Sequence, residues 1–265
     1  MNEKRLKTFS LRGVVLAMAI SLSFVCLAGP VMSADGIDSD ADRILRSMST
    51  YLGNLSAFSV KGDLSHEIVN LEGQKLLGSS SGIIIVDRPG NLYAHRQGPL
   101  ADMEIIFDGK TLTLNEKNRN VYTSIDGSGT IDDAFRAISY RGLDAPAADL
   151  LYADSYAGLI TDVTKGAYFG TAYVHGKECH HLAFRADKVD WQIWVQTGDT
   201  PLPMKYVITS KWVTGAPQYV VQFRDWNTKP QIEAGQFTFT IPEGARNLET
   251  ILVDEMGELM IEGGQ

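Results

Sequence analysis

The chain has 265 residues, 44% hydrophobic and 21% charged, which excludes wholesale disorder, collagen and coiled coil. Lys and Arg number 24 against 32 Asp and Glu, a formal charge of −8 with no basic block, so nucleic acid is excluded as a partner. Two cysteines cannot build a disulfide scaffold.

The first elements are those of an export signal. Lys4, Arg5, Lys7 and Arg12 form a basic start, and Val14 to Leu27 is uncharged and apolar. Val-Met-Ser-Ala at 31–34 suits cleavage after Ser33 or Ala34. The apolar stretch falls short of the roughly 20 residues that span a bilayer. A lipoprotein signal would need a small residue before Cys26, where Phe24 and Val25 stand. Residues 1–33 therefore read as a cleaved signal peptide, and the protein is expected in the periplasm with no integral membrane span in its mature form. Losing four basic residues and one acid leaves 20 basic and 31 acidic side chains, net −11, and Cys179 as the one thiol.

Along the mature chain, residues 40–55 carry apolar groups at three-to-four spacing and predict a helix, with Asp38 or Ser39 as cap. The period then changes to two. Short strands are predicted from Phe58, at 83–86, 91–96, 103–107, 111–114 and 121–125, with Asp108-Gly109 as a hairpin turn. A helical insertion follows near 130–166. Thr130 and Asp133 form a capping box there, Gly142 is a stop, Pro146 opens a short helix and Ser155 caps another. Strands resume at 167–175, 178–186, 190–197, 203–210, 217–226 and 236–241. The tail from Arg246 carries five acids and no further base, and can be a loose extension or a last helix or strand.

This order predicts an α+β fold: one highly curved antiparallel sheet of about 11 strands, an open half-barrel, with helices packed in its concavity. The expected organisation is a single half-barrel domain over 34–245 and an acidic tail over 246–265.

Catalytic and metal motifs fail on context. Gly78-Ser-Ser-Ser-Gly82 matches a nucleophile elbow, but a strand follows it where an elbow needs a helix, so it reads as a flexible turn. His180 and His181 are adjacent on a strand and point to opposite faces, while Cys179 and His181 share a face without a third ligand. Asp38-Ser-Asp-Ala-Asp42 lacks the glycine and final acid of a calcium loop and suits a helix start. The chain is expected to be neither an enzyme nor a cofactor protein. The aromatic strand Asp190-Trp-Gln-Ile-Trp-Val-Gln196 has large apolar groups on both faces. Such a concave face either lines an apolar pocket or packs solidly on the inserted helices.

Gly176-Lys-Glu-Cys-His-His-Leu-Ala-Phe-Arg185, DWQIWVQTGDTPLP over 190–203, APQYVVQFRDWN and FTFTIPEGA resemble a bacterial family of predicted periplasmic proteins, DUF2092. ILRSMSTYLGNLSAFSV, VDRPGNLYA and FDGKTLTL fit the same pattern, so the likeness covers nearly the whole mature chain. The family supplies no catalytic residues to carry over. At fold level the layout resembles the outer-membrane lipoprotein carrier and receptor half-barrel, and the lipid-sensing domain of a periplasmic anti-sigma-factor regulator. That resemblance implies a hydrophobic small molecule, lipid or lipoprotein anchor held in the concavity by a carrier or sensor. The lining residues so expected are Ile85, Phe107, Leu182, Phe184, Trp191, Ile193 and Phe223. The alternative is a solid-cored module that docks an envelope protein partner.

Overall fold

The computed structural model describes residues 36–99, 102–127, 129–141 and 145–249. The predicted signal peptide, the Gly142 stop and the acids beyond 249 lie outside these residues.

Helix α1 (Ser39–Gly53) starts where Asp38 Oδ1 accepts the Asp40 and Ala41 N–H groups at 2.8 and 3.1 Å. Acids suit that positive helix end, as the Asp38 to Asp42 reading requires. Ala41, Ile44, Leu45, Met48 and Leu52 form one stripe and are all buried. Gly53 ends the helix against the Ala153 carbonyl, and a Cβ there would collide with that oxygen.

A period of two then drives strand formation. After the short β1 (Gly36–Ile37), the chain runs through β2 (Ala57–Val69), β3 (Lys75–Asp87), β4 (Asn91–Gln97), β5 (Asp102–Asp108), β6 (Thr111–Glu116) and β7 (Val121–Asp126) as an antiparallel meander. The Asp108-Gly109 turn forms as expected, with Gly109 at φ +87° and Asp108 Oδ1 accepting the Lys110 and Thr111 N–H groups. The helical insertion supplies α2 (Ile131–Ser139), a 3-10 turn (Ala148–Leu151) and α3 (Ser155–Ile160). The Thr130–Asp133 capping box is present. The cap of α3 is Asp154 rather than Ser155, because the Ser155 hydroxyl is buried against Ser49 Oγ at 2.7 Å. A second meander follows: β8 (Val163–Val174), β9 (Lys177–Ala186), β10 (Val189–Gln196), β11 (Pro203–Ser210) and β12 (Gln218–Asn227).

Strand β12 pairs with β2, so both meanders join in one sheet. Its order is β1-β8-β9-β10-β11-β12-β2-β3-β4-β5-β6-β7-β13, an unclosed array with β1 and β13 (Arg246–Asn247) at its edges. The two edge strands are two residues long and parallel to their neighbours, and short edge strands discourage edge-to-edge pairing. Between them run eleven long antiparallel strands, the predicted curved sheet with helices in its hollow.

Two further local expectations are corrected. The Gly78–Gly82 segment is the interior of β3, paired with β2 residue by residue, because the hairpin turn falls at 70–74 instead. Residues 236–241 form no strand. Phe239 packs on Tyr122, ring centroids 5.2 Å apart, and Tyr122 points to the outer face of β7. The segment therefore crosses the back of the sheet, where its backbone meets no strand edge. Arg246 and Asn247, at the start of the tail, form the edge strand, one of the outcomes its sequence left open.

Candidate functional site

Helices cover the hollow unevenly. The stripe of α1 lies on β8, β9 and β10, and Leu182, Ile193 and Val195 beneath it are wholly buried. Each such apolar side chain contributes about 1.5–3 kcal/mol, so this half is solid core. Over the other half the cover is thinner, consisting of α2 and the segment from Ala145 to Leu151. Between that roof and strands β2–β5 and β12 lies a cavity of about 560 Å³. That volume falls in the range of clefts that enclose small organic ligands.

The space exists because the floor lacks side chains. Gly62 and Gly82 face each other across β2 and β3, on the concave face, and Ala94, opposite Ile84 on β4, is a third small group on that face. Val60, Leu64 and Ile84 flank the bare patch. A Cβ on Gly82 would stand 2.6 Å from the His95 carbonyl oxygen, so the backbones touch there. At the far end Phe58, Phe135, Leu150, Phe223 and Trp226 close the space. Trp226 gets there through a β-bulge. Asp225 has φ +54° and the β12–β2 register slips between Arg224 and Asn227, which puts Phe223 and Trp226 on one face. Their rings lie 5.8 Å apart, and the Trp226 indole donates to the Pro203 carbonyl at 3.0 Å.

The other end is polar, with His66, Arg96, Ser210, Gln218 and Tyr219 in the wall. Burial pushes the Tyr219 phenol up to about 12, against the pull of the Arg96 charge. Glu67, the one acid in the wall among the described residues, accepts from Lys75 Nζ at 3.0 Å and from the Gln218 N–H at 2.9 Å, and Lys75 lowers its pKa.

Polar contacts pin the roof. Asp149 Oδ2 accepts from the buried Tyr206 hydroxyl at 3.3 Å, and Asp149 Oδ1 accepts the Leu150 N–H at 3.1 Å. Burial pushes Asp149 up to about 6, a proton affinity well above that of a water-exposed aspartate. Asp132 Oδ1 accepts the Ala153 N–H at 3.1 Å, tying the roof to α2.

Of the seven lining residues expected from sequence, Phe223 lines this cavity. Phe107, Leu182, Phe184, Trp191 and Ile193 share its concave face but are buried core. Trp191 stacks on Phe184 at 4.1 Å and meets Tyr206 edge-on. Ile85 pairs with Ser59 one step out of phase with Ile84, so it points to the outer face. Aromatic size marked the packed half. The signals for the open half were the small residues Gly62, Gly82 and Ala94 at inward parity.

His180 and His181 do point to opposite faces. His180 Nδ1 meets the Tyr168 hydroxyl at 3.0 Å; His181 stacks on Trp194 at 4.1 Å and bonds Gln192 Oε1. Cys179 is buried with Val174 and Met204, and burial raises its thiol pKa. Among the described residues no group of three or more His, Cys, Asp or Glu could hold a metal, and no helix is long and apolar enough to cross a membrane.

Fold and cavity together define an open half-barrel with one partly roofed hollow. The family model of DUF2092, predicted periplasmic proteins, matches residues 41–251, and the chain belongs to that family. Family membership assigns it to the periplasm. No curated protein matches it in sequence. Among solved structures, it is similar to an uncharacterized conserved protein from Thermus thermophilus, with 9% identity over 79% of this chain and 98% of that one, TM-score 0.48. It is also similar to the lipoprotein LppX of Mycobacterium tuberculosis, at 10% identity, 74% and 100% coverage, TM-score 0.46. A LolA superfamily protein from Nitrosomonas europaea matches at 10% identity, 75% and 97% coverage, TM-score 0.39.

Proposed function

We propose that this protein is a periplasmic binding protein that holds an acyl chain or another hydrophobic ligand in the cavity beneath the 145–151 roof, as a carrier or sensor. One observation carries the reading: the concave face is left open, over about 560 Å³, where Gly62 and Gly82 remove the floor side chains. A solid-cored docking module has no use for that space, because burying apolar walls against each other gains about 25 cal/mol per Å². The function needs no chemical step. It needs an apolar enclosure, a way in and a roof held by a few polar ties.

The test is native mass spectrometry on gently purified protein, then titration of delipidated protein with an alkyl probe, for wild type and Ala94→Phe. Wild type should retain or bind apolar ligand. Ala94→Phe places a ring over the glycine floor and should weaken binding by about tenfold or more while the fold is kept, since fully burying a side chain of this size is worth about 1.5–3 kcal/mol. Wild type that neither retains nor binds any apolar molecule would end the proposal.

A further inference from the structure

The cavity wall is chemically asymmetric along the strands. On β2 it runs from Phe58 through Val60, Gly62 and Leu64 to His66, about 26 Å of strand at about 3.3 Å per residue. The Phe58 end is closed by aromatic and aliphatic groups. The His66 end carries the polar groups: His66 and Tyr219 are cross-strand partners with rings 6.5 Å apart. Arg96 stands on the concave face of β4, next to Gly82, whose missing side chain leaves its long stem room over the floor. Its charge is felt at the Tyr219 phenol. Among the described wall residues Arg96 is the one Arg or Lys.

An elongated apolar slot with N–H and O–H donors and a cation at one end suits one ligand chemistry. We infer that the ligand is an anionic amphiphile: its chain lies over Gly62 and Gly82 toward Phe58 and Trp226, and its carboxylate or phosphate sits among Arg96, His66 and Tyr219. The inference rests on the binding reading above and narrows it. A guanidinium gives a carboxylate or phosphate charge-assisted hydrogen bonds, roughly twice as strong as neutral ones. A neutral head placed there forfeits that gain. The ligand is thus distinguished from an uncharged lipid or a lipoprotein anchor without a negative group.

The experiment titrates delipidated protein with decanoate, decyl phosphate and decanol by calorimetry, in wild type, Arg96→Gln, Arg96→Lys and Tyr219→Phe. The three probes share one chain and differ in the head, and the first two separate a fatty-acid source from a phosphate headgroup. In wild type at least one anionic probe should bind about tenfold or more tightly than decanol, the gain of one charge-assisted bond. Arg96→Gln should erase that gap between the anion and decanol, Arg96→Lys should keep part of it, and Tyr219→Phe should narrow it. Circular dichroism and the melting midpoint serve as the folding control in every variant. Equal affinity for decanol and both anions in wild type, or an unchanged gap in Arg96→Gln, overturns the inference and leaves apolar binding standing. Failure of all three probes overturns the binding reading and the inference with it.

Discussion

Between about pH 4 and pH 6 Asp149 holds a proton in the folded state that it loses in the unfolded chain, and this makes stability depend on pH. Its carboxyl is pushed up to about 6 by burial under the roof, against a reference value of 3.8. A carboxylate with a raised folded pKa opposes folding once ionised. Its cost is absent below pH 3.8, grows as pH rises toward 6 and is constant above that. The two values give about 3 kcal/mol at pH 7 and roughly half that at pH 5, so acidifying from 7 to 5 recovers about 1 kcal/mol. His181 acts the other way: burial lowers its pKa below 6.5, so it loses stability as pH falls through the same window. The carboxylates whose pKa is lowered, Asp42, Asp63 and Glu67 among them, begin to cost stability only below their ordinary range. Asp149→Asn isolates the one effect. The amide keeps the shape but has a single acceptor oxygen, so it satisfies the Tyr206 hydroxyl or the Leu150 N–H, not both, at about 1 kcal/mol. Urea unfolding followed by circular dichroism at pH 7 and pH 5 should show the variant more stable than wild type by about 2 kcal/mol at pH 7. At pH 5 that advantage should shrink by about 1 kcal/mol. Parallel curves for the two proteins would refute the argument, because they would mean Asp149 is ionised in both states throughout.

Two further predictions concern packing. Gly82→Ala forces a Cβ to within 2.6 Å of the His95 carbonyl, a backbone atom that cannot swing away, so the hairpin must shift. The melting midpoint should fall by an amount equivalent to more than about 1 kcal/mol, and an unchanged midpoint would show the two strands less closely approached. Cys179 is buried and its thiol pKa is raised, so a disulfide reagent should leave it unmodified in native buffer and modify it in denaturant. Rapid native labelling would contradict its place behind β9.

Much of the fold was legible because it follows from local rules. The capping box at Thr130, the Asp38 helix start, the Asp108-Gly109 turn and the switch of apolar period from near four to two each act over a few residues. Sheet curvature and the α1 cover required only that two-faced strands find something to bury. Residues 236–241 misled because alternation alone does not supply a partner edge. That segment alternates as a strand does, yet its Phe239 is satisfied by Tyr122 from outside the sheet.

The site itself was harder to read for a reason specific to cavities. A side chain large enough to attract notice is also large enough to fill space, so Trp191, Phe184 and Ile193 end up in the half that α1 seals. A hollow is made by what is missing, and the missing groups are two glycines whose significance appears only when β2 and β3 are set in register. Trp226 adds the complementary case. Strict alternation separates it from Phe223, and a single residue at positive φ, Asp225, brings both rings to the same end of the hollow. Deleting that bulge would turn Trp226 outward and open the closed end of the slot. The depth of the cavity therefore depends on a backbone irregularity as much as on any lining side chain.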